Sequence, residues 1–309
     1  MRHKYPLKKR VLIVGCGDVG LRTARRLLPH YRVFGLVRST AAAAQLRAEG
    51  IVPVLADLDD IRSLARIAGI ADIVLHFAPP PSTGLADTRT RHLLTALAQH
   101  TELPRRLIYI STSGVYGDCA GGWVPETLPV HPATGRAARR VDAERQIRNF
   151  AQRSGVQASI LRVPGIYAAE RLPLERIRRG TPILCAADDV YSNHIHAEDL
   201  AHIVELAMYR GRNSRVYHAS DDSELKMGEY FQLVAQAFDL PAPPQISRDE
   251  AELSLPASLL SFMSESRRLC NARLKRELRV RLIYPTVVAG LQAIESIKAG
   301  VVSLPNNQQ

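Results

Sequence analysis

Apolar positions along this chain fall into short blocks that alternate with stretches of helical spacing. Val11-Leu-Ile-Val14, bounded by Arg10 and Gly15, is a strand-length run with no polar position, as in a strand covered on both faces. Leu21 to Leu28 follows with apolar residues three and four apart, the pattern of an amphipathic helix. Arg32-Val-Phe-Gly-Leu-Val37 predicts a second strand and Ala41–Ala48 a helix. Ile51-Val-Pro-Val-Leu55 predicts a third strand, with Pro53 marking an irregularity. Ile61–Ile67 reads as helical, Asp72–Phe77 as a fourth strand, the segment ending at Gln99 as a helix, and Arg106-Leu-Ile-Tyr-Ile110 as a fifth strand. This alternation predicts βαβ units and a parallel sheet, an α/β fold of the doubly wound kind.

The second half is less regular. Ala158-Ser-Ile-Leu-Arg162 and Arg215-Val-Tyr-His218 predict strands that return to the sheet, and Met227–Phe238 a core-packing helix. The expected division is a sheet domain over residues 1–163, with return segments at about 195–222, and a smaller α/β domain from 164–194 and 223–309.

Between the first strand and the first helix stands Gly15-Cys-Gly17-Asp18-Val19-Gly20. A G-x-G-x-x-G turn in this context is the fingerprint of dinucleotide binding. Gly15 permits the tight turn, Gly17 lets a pyrophosphate approach the backbone, and Gly20 lets the helix pack on the strand. The free N–H groups and positive dipole of the helix start then hold the phosphates, with Asp18 and Val19 in the first turn. Eighteen residues after Gly20, at the end of the second strand, stands Arg38. An acid at that place binds a ribose 2′-hydroxyl, whereas a guanidinium suits a 2′-phosphate, so the expected cofactor is NADP rather than NAD.

Composition narrows the rest. The chain has 309 residues, 46% of them hydrophobic, and a formal net charge of +11. The basic residues are spread over many helices and are not interleaved with aromatics, which argues against nucleic acid as partner. They read first as a generally basic surface, and second as a cationic field that would attract an anionic small-molecule substrate. No apolar stretch approaches the roughly 20 residues of a membrane span, and the basic start is followed by too short an apolar run for a secretory signal. Cys16, Cys119, Cys185 and Cys270 are scattered and form no C-x-x-C pair, which fits reduced thiols in a cytoplasmic protein. No metal-ligand motif appears; His194, His196 and His202 are spaced as a strand end followed by a helix.

Further along, Val74-Leu-His76-Phe77-Ala78, Ile110-Ser111-Thr112-Ser-Gly-Val-Tyr116-Gly117, Leu161-Arg162-Val-Pro164-Gly-Ile-Tyr167 and Asn193-His-Ile-His196-Ala-Glu-Asp199 follow one another in order. Together with the glycine turn they resemble the extended and atypical short-chain dehydrogenase/reductases, the NAD(P)-dependent epimerase/dehydratase group. The likeness runs from about residue 10 to 220. It implies that Asp57-Leu58 contacts the adenine, that Phe77, Ala78 and Pro79 lie beneath the cofactor, and that Ser111 and Pro164 flank it. It implies that the Thr112 hydroxyl orients a reacting oxygen. It also implies a sugar, nucleotide-sugar or other small carbonyl or alcohol substrate, and a homodimer as the assembly to look for.

One departure bears on mechanism. The family's Tyr-x-x-x-Lys pair is missing. Aligned on Pro132 and Gly135, Thr134 and Ala138 hold those places; aligned on Glu144, Arg136 and Arg140 do. Tyr normally serves as general acid/base and Lys lowers its pKa. Tyr116, Tyr167, His194 and His196 are then candidates for the proton transfer, and Arg136, Arg139 or Arg140 for charge near the ribose. Tyr116 and His196 equally fit core packing and a hydrogen-bonded structural role. Two readings follow: an NAD(P)-dependent oxidoreductase or epimerase with a replaced acid, and a non-catalytic NADP(H)-binding redox sensor that has lost Tyr and Lys.

Overall fold

The computed structural model describes residues 8–298; the basic start at 1–7 and the tail at 299–309 lie outside the described residues. The central sheet has seven parallel strands: β1 Arg10–Val14, β2 Arg32–Val37, β3 Val52–Leu55, β4 Ile73–His76, β5 Arg106–Thr112, β6 Gln157–Val163 and β7 Arg215–His218. Their spatial order is β7-β6-β5-β4-β1-β2-β3. The order reverses between β1 and β4, so the crevice outside their carboxyl ends is where such a sheet accepts a ligand.

Helices cover both faces. α1 Asp18–Leu27 buries Gly20, Thr23, Ala24 and Leu27, a stripe at helical spacing. With α2 Thr40–Ala48 it shares a core with Val11, Ile13 and Leu75. The other face is filled by α3 Thr88–Leu97, the 3-10 turn Ile61–Ile67 and α4 Gly135–Ser154, which bury Leu93, Leu64 and Ile147 against Leu12 and Val74. α5 Ala197–Arg210 packs on the α1 face through Leu200, Ile203 and Val204. Among the described residues no helix is long and apolar enough to cross a membrane.

The smaller unit has its own core, in which Tyr167, Ile177 and Ile183 pack with Tyr230, Phe231 and Val234 of helix Met227–Ala237. Its boundary differs from the expected one. The segment Ala272–Leu278 buries Leu274 and Leu278 in the sheet's core, and Arg268–Leu269 pairs with Trp123–Val124. Residues in this stretch therefore belong with the sheet. Their few apolar positions have no strand-length run that would have marked a return.

A buried ion pair ties the sheet to α4. Arg162 of β6 donates from Nε and Nη2 to the Glu144 carboxylate at 3.0 and 2.7 Å, and the Ser111 hydroxyl donates to the same carboxylate at 2.7 Å. Burial alone would push the Glu144 carboxyl up, but the Arg162 bonds and charge outweigh it and hold it below the usual carboxylate range. Removing one partner leaves the other charged, buried and unpaired. Arg162→Met is expected to cost about 3–5 kcal/mol in denaturant unfolding, and Arg162→Met/Glu144→Gln to recover much of that loss. Because the Glu144 pKa is depressed, its stabilisation is present above the unfolded carboxylate range and is lost as pH falls through the native value. The double variant should flatten that acid limb, and an unchanged limb would exclude the pair as its source.

Candidate active site

At the carboxyl end of β1 the chain turns sharply into α1. Gly15 has φ +101°, and a Cβ there would stand 2.6 Å from the Ala78 nitrogen. A Cβ on Gly20 would stand 2.6 Å from the Gly15 carbonyl oxygen. Both positions thus require glycine for the turn itself. Gly17 is different: a Cβ there meets nothing within 4 Å. The structure leaves its outer face open, and no side chain caps the helix start behind it. This cradle, with unspent N–H groups at the positive end of α1, fits a dinucleotide pyrophosphate.

The other cofactor positions gather around the crevice. Phe77 and Ala78 both donate backbone N–H bonds to the Val14 carbonyl at 2.8 and 2.9 Å, joining the ends of β4 and β1. Asp57 follows β3 and Leu58 is buried beside it. Arg38 directly follows β2 and is exposed. Asp18 is paired with Arg22 at 2.6 Å and Arg171 at 3.1 Å, and Arg22 also pairs with Glu170 and Glu198. Val19 packs on the sheet core.

Two depressions compete for attention. The larger, about 1210 Å³, lies at the amino ends of the strands beside Arg10, Arg32 and Arg106, on the edge opposite the glycine turn. Doubly wound sheets bind ligands at the carboxyl edge. The smaller, about 700 Å³, opens there and is lined by Pro79, Thr112, Thr134, Arg136, Pro164 and Tyr167 together with residues of the small unit. This is the candidate substrate cavity, within the usual size for small-molecule sites.

Thr112 ends β5 half-buried, and its Oγ1 accepts a bond from the Gly114 N–H at 3.3 Å. Its own O–H remains free to donate. Thr134 caps α4 by accepting from the Ala137 N–H at 3.2 Å, and Arg136 stacks on Phe262, 4.5 Å from its ring centre. Helix α4 itself contains neither Tyr nor Lys.

Two candidates for proton transfer lie elsewhere. Tyr116 is 2% exposed and does not line the cavity. Its hydroxyl is bonded to His218 Nε2 and to Arg162 Nη1, each at 2.6 Å, and burial pushes its pKa up to about 12. His196 caps α5, its Nδ1 accepting from the Glu198 N–H at 3.2 Å, and burial pulls it down to about 4. It packs against Tyr167 and Tyr284 rather than facing the cavity. The structure therefore gives both the packing and capping roles that their motifs also fit. Ser111, expected beside the cofactor, spends its hydroxyl on Glu144 and is 3% exposed. His194 and Tyr167 do line the cavity; the Tyr167 hydroxyl donates to the Thr286 carbonyl at 3.2 Å.

Sequence reasoning missed Glu265. It is the cavity's only lining carboxylate among the described residues, delivered by a loop far along the chain. Its Oε2 and the Thr112 Oγ1 stand 4.0 and 3.6 Å from the same point above Gly114, and Arg267 Nη2 donates to that Oε2 at 2.8 Å. The loop is pinned: the Ser266 N–H donates to Asp118, the Ser266 carbonyl accepts from Cys119 and Gly121, and Arg267 Nη1 donates to the Gly117 carbonyl. No local motif marks such a residue.

A doubly wound sheet with a glycine turn at its switch point and an adjoining cavity defines a dinucleotide-binding α/β protein. The profile of the NAD dependent epimerase/dehydratase family matches residues 11–220, and the chain belongs to that family. It is 30% identical to a functionally unknown conserved protein from Silicibacter pomeroyi, whose structure matches with a TM-score of 0.77 over 94% of this chain and 99% of that one. An uncharacterized protein of Schizosaccharomyces pombe is 26% identical over 258 residues, 78% of this chain and 84% of its own length. The fold is shared with UDP-glucuronic acid 4-epimerase from Bacillus cereus, solved in complex with NAD, at 17% identity and a TM-score of 0.72 over 95% of this chain and 100% of that one.

The three glycines separate fold from binding. Gly17→Ala should leave the melting temperature within the small range of surface substitutions, yet weaken dinucleotide binding at least tenfold, because its methyl enters the pyrophosphate's space. Gly20→Ala should lower the melting temperature itself. Thermal unfolding and cofactor fluorescence titration of both variants check this; equal affinity in Gly17→Ala would remove the pyrophosphate from the turn.

Proposed function

We propose that this protein is an NADP(H)-dependent oxidoreductase or epimerase acting on a sugar, nucleotide-sugar or other small carbonyl or alcohol substrate. The observation that carries this reading is the substrate-sized cavity at the carboxyl edge of the sheet, lined by Thr112 at the end of β5 and by Pro79, which follows the Ala78 packed against Gly15. A bound nicotinamide cofactor supplies hydride transfer at its C4. The chain's residues do the rest. Thr112 donates a hydrogen bond from its hydroxyl to the reacting oxygen and fixes its position. Glu265 takes the hydroxyl proton when an alcohol is oxidised and returns it on reduction, in the role left open by the absent Tyr. Arg267 holds the carboxylate in place. Arg140, which donates to the Tyr109 hydroxyl and the Ile110 carbonyl at 3.0 and 2.8 Å, keeps a positive charge under the same strand end.

The preference for NADP rests on Arg38. Asp59 is bonded by Arg89 at 2.8 and 2.6 Å, and chiefly that bond holds it below the usual carboxylate range. With Asp59 engaged, the Arg38 guanidinium remains for a 2′-phosphate. Arg38→Ala should weaken NADPH binding far more than NADH binding in paired titrations, and equal losses would refute the assignment.

The test of the reaction is a screen of UDP-sugars and simple sugar aldehydes, read by nicotinamide absorbance and by product epimer. Thr112→Ala should lower turnover by about 10²–10³-fold and Glu265→Gln by about 10²–10⁴-fold, each with cofactor affinity nearly unchanged. The lack of Tyr and Lys in α4 favours a second reading, a redox sensor that binds NADP(H) without chemistry. Tight cofactor binding without hydride exchange on any substrate, and a ligand-dependent change in assembly, would favour that reading.

A further inference from the structure

The larger depression, at the amino edge of the sheet, takes no part in the chemistry at the other end of the strands. Among the described residues six cationic side chains line it, those of Lys8, Lys9, Arg10, Arg32, Arg105 and Arg106, against one carboxylate, Asp72. Strand register brings them together. Arg32 opens β2 directly beside Arg10 of β1, and Arg106 opens β5 beside Ile73 of β4. Arg105 donates its backbone N–H to the Asp72 carbonyl at 2.8 Å. Neighbouring strands lie about 4.8 Å apart, so these cations form a row along one edge. Like charges at adjacent register positions repel, and the fold carries that cost.

Structural duties account for half of the row. Helices end at this edge, and their last carbonyls attract cations. Lys8 Nζ donates to the Leu28 carbonyl at the end of α1, and Arg106 Nη1 to the Ala207 and Gly211 carbonyls at the end of α5. Arg10 donates to both Asp72 carboxylate oxygens and to the Gly69 carbonyl. Lys9, Arg32 and Arg105 remain. All three are exposed, and among the described residues none has a hydrogen bond or ion pair from its side chain. The wall beside them is aromatic: the Tyr31 and Tyr209 hydroxyls are bonded at 2.9 Å, and Tyr209 is 53% exposed. The recess, about 1210 Å³, is slightly larger than usual small-molecule sites. Its concave walls focus the field of the row, which a flat partner could not exploit.

We propose that the amino edge is a second ligand site, separate from the dinucleotide turn, which takes a small molecule bearing two or more linked phosphate groups. The phosphates bridge Lys9, Arg32 and Arg105 and offset their mutual repulsion. The five residues of β1, about 16 Å of strand, separate this edge from Gly15, so both sites fill at once.

The test is isothermal titration of inorganic tripolyphosphate and of ATP into the full-length protein, with NADP⁺ in excess to occupy the glycine turn. At least one probe should bind with one site per chain, weaken as salt is raised, and bind at least tenfold more tightly than sulfate. Arg32→Gln/Arg105→Gln should lose at least tenfold in affinity, and Lys9→Gln at least threefold. Arg179→Gln, an exposed arginine of the small unit paired with Glu175, should bind as the wild type does. The three substituted cations are exposed, so the variants should melt as the wild type does without ligand. Should the double variant fail to fold, Lys9→Gln carries the test alone. Both phosphate sources support the proposal: tighter binding of ATP, lost in Tyr209→Ala, assigns a nucleotide, and equal affinity assigns a bare phosphate chain. No saturable binding of either probe, affinity kept within twofold in both cation variants, or sulfate bound as tightly as tripolyphosphate overturns it. Displacement of the probe by NADP⁺ overturns it too, since the probe then sits at the glycine turn. Capture of a single-stranded oligonucleotide with neither small probe bound makes the edge a macromolecular surface and likewise overturns it. The cation variants locate the site whether or not NADP⁺ binds, so its failure is separate from failure of the redox function.

Discussion

Arg162 and Glu144 meet where β6, α4 and the end of β5 come together, and much of the site's geometry depends on that contact. The two side chains are 3% and 1% exposed, so each charge needs the other to offset its lost hydration. The pair recruits Ser111 from β5, and Arg162 reaches on to Tyr116, which in turn holds His218 of β7. Three adjacent strands and the long helix are thereby fixed to one another just below the carboxyl edge. Thr112 follows Ser111 directly, so its hydroxyl inherits that rigidity. Polar groups that are fully satisfied in low dielectric define a single arrangement.

Above this foundation the cavity is assembled from opposite ends of the chain. The sheet edge contributes Thr112 and the start of α4, while the small unit contributes Arg176, His194 and Tyr230. The loop carrying Glu265 and Arg267 bridges them. Asn193 clamps it by donating to the Arg267 carbonyl and accepting from the Leu269 N–H. Tyr116 and His196, candidates within family motifs, are spent on a core contact and a helix cap. His194 and Tyr167 of those motifs do line the open space, but Glu265, the cavity's one carboxylate among the described residues, comes from a segment with no motif at all.

Charge in this protein is unevenly employed. Many arginines of the surface and rim are paired, as Arg22 and Arg26 are with acids on neighbouring elements. Among the described residues six arginines and one carboxylate line the cavity, which gives the +11 net charge a local meaning. A field of one sign inside a concave, partly dry space attracts and orients an anion more strongly than the same charges on an open surface.

The strands, the glycine turn and the order of the helices were legible from the chain because each depends on spacing between neighbours. Val11-Leu-Ile-Val14 reads as a covered strand, and Gly15 and Gly20 after it are demanded by contacts with Ala78 and within the same turn. β2 and β7 begin and end at the predicted residues, Arg32–Val37 and Arg215–His218. The boundary of the small unit was not legible, because Leu274 and Leu278 carry a helical pattern equally suited to either core. Tyr116 and His196 stood in the right motifs, but which way a side chain faces depends on neighbours such as His218 and Tyr284 that join it only on folding. Glu265 and Arg176 could not be read at all: a carboxylate in a loop and an arginine on a short helix look like surface until packing buries them. Sequence by itself determined the local periodicities and hence the fold; tertiary structure alone decided which charges lost their water, and those charges make the site.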